Sequence, residues 1–196
     1  MIQHRVAGAI RSLLRGRIVF LWLFLYPVIT QGQQLFFDQF SVSEGLAQST
    51  VYKVIQDSRD IFWLGTQAGV SRFDGLEFVN YTAEDGLAAN GVRAICEDMH
   101  GNIWFGHDGG GISKYNGYNF TSVRDMDEIM DSDITSILLD SAGHLWFTSD
   151  GSGVIELKNP GAGPGHLDFT QYSGRVLSDR VFGGHVDRGG MLYFVA

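Results

Sequence analysis

Residues 101–117 read GNIWFGHDGGGISKYNG. The stretch is too polar for a helix and too rich in glycine for a plain strand, and a glycine-rich ligand loop looks like a glycine-rich hairpin when met alone. Recurrence decides between them. GLAQSTVYKVIQDSRDIFWLGTQAGVSRFDGLEFVNYT (residues 45–82) is followed by GLAANGVRAICEDMHGNIWFGHDGGGISKYNGYNFTSV (86–123) and by DSDITSILLDSAGHLWFTSDGSGVIELKN (131–159). A fourth copy opens with LSDRVFGGHVDRGGMLYFVA at residues 177–196. Trp63, Trp104 and Trp146 stand 41 and 42 residues apart, and Tyr193 takes the same place 47 residues further on. Asp57, Asp98, Asp140 and Asp187 each precede that aromatic residue by the same interval. The longer last spacing is absorbed by NPGAGPGHLD (residues 159–168), a Gly- and Pro-rich insertion.

Within the second unit, VRAICED, NIWFG, GISKYN and YNFTSV carry apolar or aromatic residues at alternate positions, with MHG, DGG and NG as turns between them. Four short antiparallel strands every ~40 residues is the pattern of a β-propeller blade. The expected fold is therefore all-β, with repeats at about 45–85, 86–127 and 131–172 and a truncated one at 177–196, or about three and a half blades of an incomplete propeller. In such a blade Trp63, Trp104, Trp146 and Tyr193 fill the gap between neighbouring sheets. Gly101, Gly143 and Gly190 share one turn that calls for positive φ, and Asp60 holds that place in the first copy. The aspartates ahead of the turn are placed to accept its backbone N–H groups, a device of the fold and not a catalytic pair.

The chain opens differently. Arg5, Arg11, Arg15 and Arg17 form a basic lead without an acid, followed by the apolar run IVFLWLFLYPVI (residues 18–29) and then by TQGQQ. That order predicts a signal peptide over residues 1–32, with Thr30 and Gly32 as the small residues of the cleavage site and a mature chain from near Gln33. An uncleaved signal anchor is the alternative, although the run is shorter than the ~20 residues of a stable span. The full chain carries a formal charge of −8, and loss of the four leader arginines leaves it more acidic still. An acidic surface excludes nucleic acid and anionic membrane as partners, since both reward Lys and Arg clusters. Contact with a membrane is expected only through the N-terminal segment or a span in a longer parent. Cys96 is the only cysteine, so no internal disulfide is available; alternation turns it inward as an inert thiol.

The recurring string GL, V, I-x-D-x-x-G-x-IWFGT-x-x-GISKY-x-G-x-x-F resembles the two-component regulator propeller repeat, found in the periplasmic sensor regions of hybrid histidine kinases. EGLAQSTV directly after a signal peptide is also how those sensors begin. The resemblance covers the chain from about Phe36 onward. It implies a periplasmic, inner-membrane-associated sensor in which many repeats build two seven-bladed propellers ahead of an immunoglobulin-like domain, a span and a kinase. On that footing this sequence is the N-terminal part of such a protein; a short product that closes a ring by self-association is the minority alternative. Its partners would be the remaining blades and downstream domains, and its ligand an oligosaccharide.

Three functions follow for the segment. The leading one is a ligand-sensing module without catalysis. The second is a protein-interaction platform. The third is a lyase or hydrolase, which some propellers are and which needs His and carboxylates converging on the channel. His100, His144, His166 and His185 fall in turns or linkers, and His107 has no second histidine at metal-ligand spacing, so no metal, other cofactor or catalytic residue is assigned. His107 itself is expected on a surface turn. Gln67 with Ala68, His107 with Asp108, and Ser149 with Asp150 are read as equivalent loop positions lining one face, and they are the candidate ligand-binding residues.

Overall fold

The computed structural model describes residues 38–123, 132–163, 166–172 and 179–196. All described residues but Asp38 belong to the second of the chain's two units, Gln39–Ala196. The expected signal segment, residues 1–32, lies outside the described residues, as do the first residues of the third and fourth repeats.

The second unit is all-β. Strands β1 (Val51–Gln56), β2 (Phe62–Thr66), β3 (Gly69–Phe73) and β4 (Phe78–Tyr81) form one antiparallel sheet in that order. Strands β5 (Val92–Glu97), β6 (Ile103–His107), β7 (Ile112–Tyr115) and β8 (Phe120–Val123) form the second. The third is made of β9 (Asp133–Leu139), β10 (Leu145–Asp150), β11 (Gly153–Leu157) and β12 (Phe169–Tyr172). A hairpin of β13 (Gly183–Val186) and β14 (Leu192–Val195) starts a fourth. The first strand of each sheet neighbours the first strand of the next, as blades of a propeller do. The sheets do not close a ring.

One aspartate builds each first hairpin. Asp98 Oδ1 accepts the N–H groups of His100 at 2.8 Å and Asn102 at 2.9 Å, while its Oδ2 accepts Trp104 Nε1 at 2.8 Å. Asp57 and Asp140 repeat this, receiving Trp63 Nε1 at 3.0 Å and Trp146 Nε1 at 2.9 Å. In the fourth copy Asp187 accepts the Tyr193 hydroxyl at 3.2 Å. Burial works against the charge of Asp57 and Asp140, but the indole and backbone bonds outweigh it and hold both carboxyls below the ordinary value of 3.8. At the turn itself Gly101, Gly143 and Gly190 have φ of 78°, 89° and 82°, and Asp60 has 64°.

Bonded at one edge, each indole lies flat in the seam to the next sheet. Trp63 meets Phe105 edge-on at 5.6 Å between ring centres, Trp104 meets Phe147 at 6.2 Å, and Trp146 meets Phe194 at 6.2 Å. The partner is in each case the residue that follows the next blade's aromatic. Trp104, Phe147, Leu145 and Leu157 belong to one buried cluster and Trp63, Phe105, Val92 and Ile103 to another, so the core is a series of seams. Truncating such a buried indole costs about 3–5 kcal/mol. Gly106 sits under Ile134 of the next blade, where a Cβ would strike the isoleucine side chain. In the third copy Thr148 replaces it and bonds Thr135 through the two hydroxyls at 2.7 Å. Cys96 packs against the second seam, and burial pushes its thiol up to about 12.

Each of the first two sheets is entered through a short 3-10 turn, Val42–Glu44 and Ala83–Asp85, with reciprocal Ser41/Glu44 and Thr82/Asp85 caps and a left-handed Gly45 or Gly86 at its end. The next residues, Leu46 and Leu87, are buried. Ala47 N then donates to Ser71 Oγ, and Ala88 N to Ser113 Oγ, which ties each entry segment to the third strand of its own sheet.

Candidate functional site

The first strand of each complete sheet departs from regular pairing near its start. The register slips between Val51 and Lys53 in β1, between Val92 and Ala94 in β5, and opposite Thr148 and Ser149 in β9. The unpaired residues are Tyr52, Arg93 and Thr135, all eleven positions before the blade's tryptophan; Phe182 holds that position ahead of β13. A bulge turns its extra side chain out of the sheet, and Tyr52 and Phe182 are 41% and 56% exposed.

These side chains join a row that runs from blade to blade. The Arg93 guanidinium lies over the Tyr52 ring at 5.6 Å and donates to Asp108 Oδ2 at 3.0 Å. Gly109 N donates to Asp133 Oδ1 at 2.6 Å, and Asp133 pairs with Asp150 across β9 and β10. Asp150 takes a forked contact from Arg180, Nε to Oδ1 at 2.6 Å and Nη2 to Oδ2 at 3.1 Å, and Arg180 stands over the Phe182 ring at 5.6 Å. The bond from Arg180 holds Asp150 below the ordinary carboxyl value, and the bond to Asp108 raises Arg93. Two aromatic faces, two guanidinium groups and three carboxylates therefore share one rim. Exposed ion pairs are weak and open readily to another partner, so the rim can exchange these contacts for a ligand that offers hydroxyls and a flat face.

Of the residues singled out from sequence, Gln67 and Ala68 are exposed in the β2–β3 turn. Asp108 and Asp150 are in the rim. His107 and Ser149 are not, and the expectation of a surface histidine is corrected: both are fully buried at the ends of β6 and β10. They align with Thr66, one position before Gln67, so the six residues are not three equivalent pairs. Thr66 Oγ1 donates to Gly69 O at 2.9 Å and Ser149 Oγ to Gly153 O at 3.2 Å, each closing its own hairpin. His107 Nε2 meets Ser113 Oγ at 2.8 Å. That oxygen also accepts Ala88 N–H and still keeps one proton and one lone pair, so either atom of the Nε2–Ser113 pair can donate, while Nδ1 has no hydrogen-bond partner among the described residues. Burial pushes the imidazole down to about 4, with the Gly91 and Ala89 carbonyls opposing, so His107 is a neutral core residue. Tyr52, Arg93 and Phe182 were not picked out by motif reading. Aligning the repeats on their tryptophans exposes the signal, a column of Tyr, Arg, Thr and Phe directly after an aliphatic column of Val51, Val92, Ile134 and Val181.

Among the described residues no three His, Cys, Asp or Glu side chains are grouped to hold a metal ion, and no helix is long and apolar enough to cross a membrane.

The family model of the two component regulator propeller matches residues 86–109 and 128–151. No curated protein matches the sequence. Among solved structures, the extracellular domain of a proposed hybrid two component system from B. thetaiotaomicron superimposes with a TM-score of 0.68 at 18% identity, over 81% of this chain and 22% of that one. A second such domain from the same organism gives 0.62 at 18% identity, over 79% and 21%. Virginiamycin B lyase from Staphylococcus aureus gives 0.61 at 18% identity, over 77% and 50%. At these identities the likeness is one of fold, and this chain spans about a fifth of the length of the two extracellular domains.

Proposed function

We propose that this chain, which the two component regulator propeller model matches over residues 86–109 and 128–151, is the ligand-sensing part of an extracytoplasmic two-component receptor, without catalysis of its own, whose ligand is an oligosaccharide. The observation that carries the reading is the rim row from Tyr52 through Arg93, Asp108 and Asp150 to Arg180 and Phe182. Sugars are held by aromatic faces against their C–H surfaces and by charged or amide groups that fork onto vicinal hydroxyls, and the rim presents both kinds of group. Its length across four blades suits a chain of sugar units more than a single one. The likeness to extracellular domains of hybrid two component systems supports a place outside the cytoplasm and a kinase in a longer parent protein.

Titration calorimetry of the chain against a panel of plant and host-glycan oligosaccharides tests this, with chromatography of the recovered sugar. Saturable binding that is lost in Tyr52→Ala and Arg93→Ala, with the sugar recovered intact, is the expected result. Cleavage of the sugar supports the lyase or hydrolase reading instead. Absence of binding across the panel refutes the sensing assignment for this segment.

A further inference from the structure

The insertion at residues 159–168 has a second consequence away from the rim. The third-to-fourth-strand turn is short in the first two sheets, at residues 74–77 and 116–119, but in the third it spans residues 158–168. Its described part folds back on the second sheet and roofs a cavity of about 270 Å³ at the outer end of the seam between them, with Leu167 and Ala162 on the insertion side. Strand alternation and pairing put Trp104, Lys114 and Thr121 in one row on the seam face, with Asn102 and Asn116 two residues along on the same face.

Lys114 is unusual in this acidic chain. It is half-buried, no carboxylate pairs with it among the described residues, and its ammonium lies over the Trp104 ring at 5.1 Å. Nζ donates to Pro160 O at 2.6 Å and Ala162 O at 3.4 Å, so one of its three protons remains. Desolvation pulls its pKa below the ordinary lysine value, with Asp98 opposing; an anion in the cavity would relieve that. The neighbouring polar groups also keep capacity. Asn102 Nδ2 is held by Asp98, which leaves its Oδ1 as an acceptor, and Asn116 Oδ1 takes Tyr118 N and Asn119 N, which leaves its Nδ2 as a donor. The Thr121 hydroxyl has no hydrogen-bond partner among the described residues.

We propose that this cavity binds a small carboxylate that also carries hydroxyl groups, of the sugar-acid class, with Lys114 facing the carboxylate and Asn102, Asn116 and Thr121 ordering the hydroxyls. A single cation with one free N–H, and no guanidinium fork or cluster of backbone N–H groups beside it, matches one negative charge and not a phosphate. Two amides and a hydroxyl around an apolar floor match a ring with hydroxyl edges and a C–H face. The site is separate from the rim and stands whether or not the rim senses a glycan.

Calorimetry of the full chain with D-glucuronate, D-glucose and acetate tests it. Glucuronate is expected to saturate the cavity with a Kd on the order of 1 mM, and glucose and acetate to bind at least about tenfold more weakly. Lys114→Met is expected to abolish binding. Because Lys114 also anchors the insertion, Thr121→Val serves as the second variant: it should weaken glucuronate about three- to tenfold with an unchanged melting temperature, and Arg93→Ala should leave this binding untouched. No heat with glucuronate up to about 50 mM, acetate binding as well as glucuronate, or Lys114→Met and Thr121→Val both binding like the parent would each overturn the proposal.

Discussion

Replacing His107 by Gln should remove one segment of the protein's pH dependence and leave the rest. In the folded state the ring is fully buried, is hydrogen-bonded to the Ser113 hydroxyl, and burial pushes its pKa down to about 4, against 6.5 for the group in water. A histidine whose folded value is depressed stays neutral in the native state while the unfolded chain takes up a proton. Stability is therefore undiminished above about pH 6.5, falls as the pH drops from there toward 4, and loses no more from this group below 4. With 1.36 kcal/mol per pKa unit the full loss is about 3 kcal/mol, and some 2.5 kcal/mol of it is reached by about pH 4.5. The substituted amide would keep a hydrogen-bond partner for Ser113 but cannot charge. Urea midpoints of parent and His107→Gln, measured from about pH 7.5 to 4.5 and converted with a common m-value, should converge as the pH falls. Parallel curves, with a constant gap throughout, would refute the buried neutral imidazole.

Asp57 and Asp140 act in a lower window with the opposite requirement: their folded values lie below 3.8, so their contribution is whole above 3.8 and is lost as the pH falls through the depressed values. Asp140→Asn should accordingly flatten the steep acid end of a thermal-melt series while leaving its shape above pH 5 unchanged. Asp98→Asn puts an amide N–H against the Trp104 indole N–H or against the turn's N–H groups, and should cost about 1–3 kcal/mol by urea titration, whereas the equivalent change at the less buried Asp187 should cost less. Gly106→Val drives a branched side chain into Ile134 and should destabilise by about 1–3 kcal/mol or more; a neutral result in chemical denaturation would mean that the second and third sheets separate freely at this seam.

The hairpin aspartates, the seam tryptophans and the positive-φ turns were legible because each depends on residues close in the chain and recurs four times. An Asp six residues before an aromatic reaches its ring N–H or hydroxyl across a three-residue turn in every copy, so the repeat alone specifies the blade. The candidate site was legible only in part. Asp108 and Asp150 stood out as variable loop acids, but His107 and Ser149 were placed on the surface although a one-residue difference in register puts them inside. In a strand that single step exchanges the solvent face for the core.

The sequence by itself determined the class of fold, the blade period, the strand order within each sheet and the device that closes each first hairpin, since all of these follow from local spacing and alternation. Only the tertiary structure decided which residues of different blades meet. The rim row exists because the bulges of the first two sheets turn Tyr52 and Arg93 outward, while Thr135 at the third bulge bonds Thr148 and Val181 O; the Lys114 cavity exists because the insertion of one sheet folds over the neighbouring one. Both join residues of different blades, 24 or more positions apart, and no local pattern encodes a contact whose two halves are brought together by seam packing.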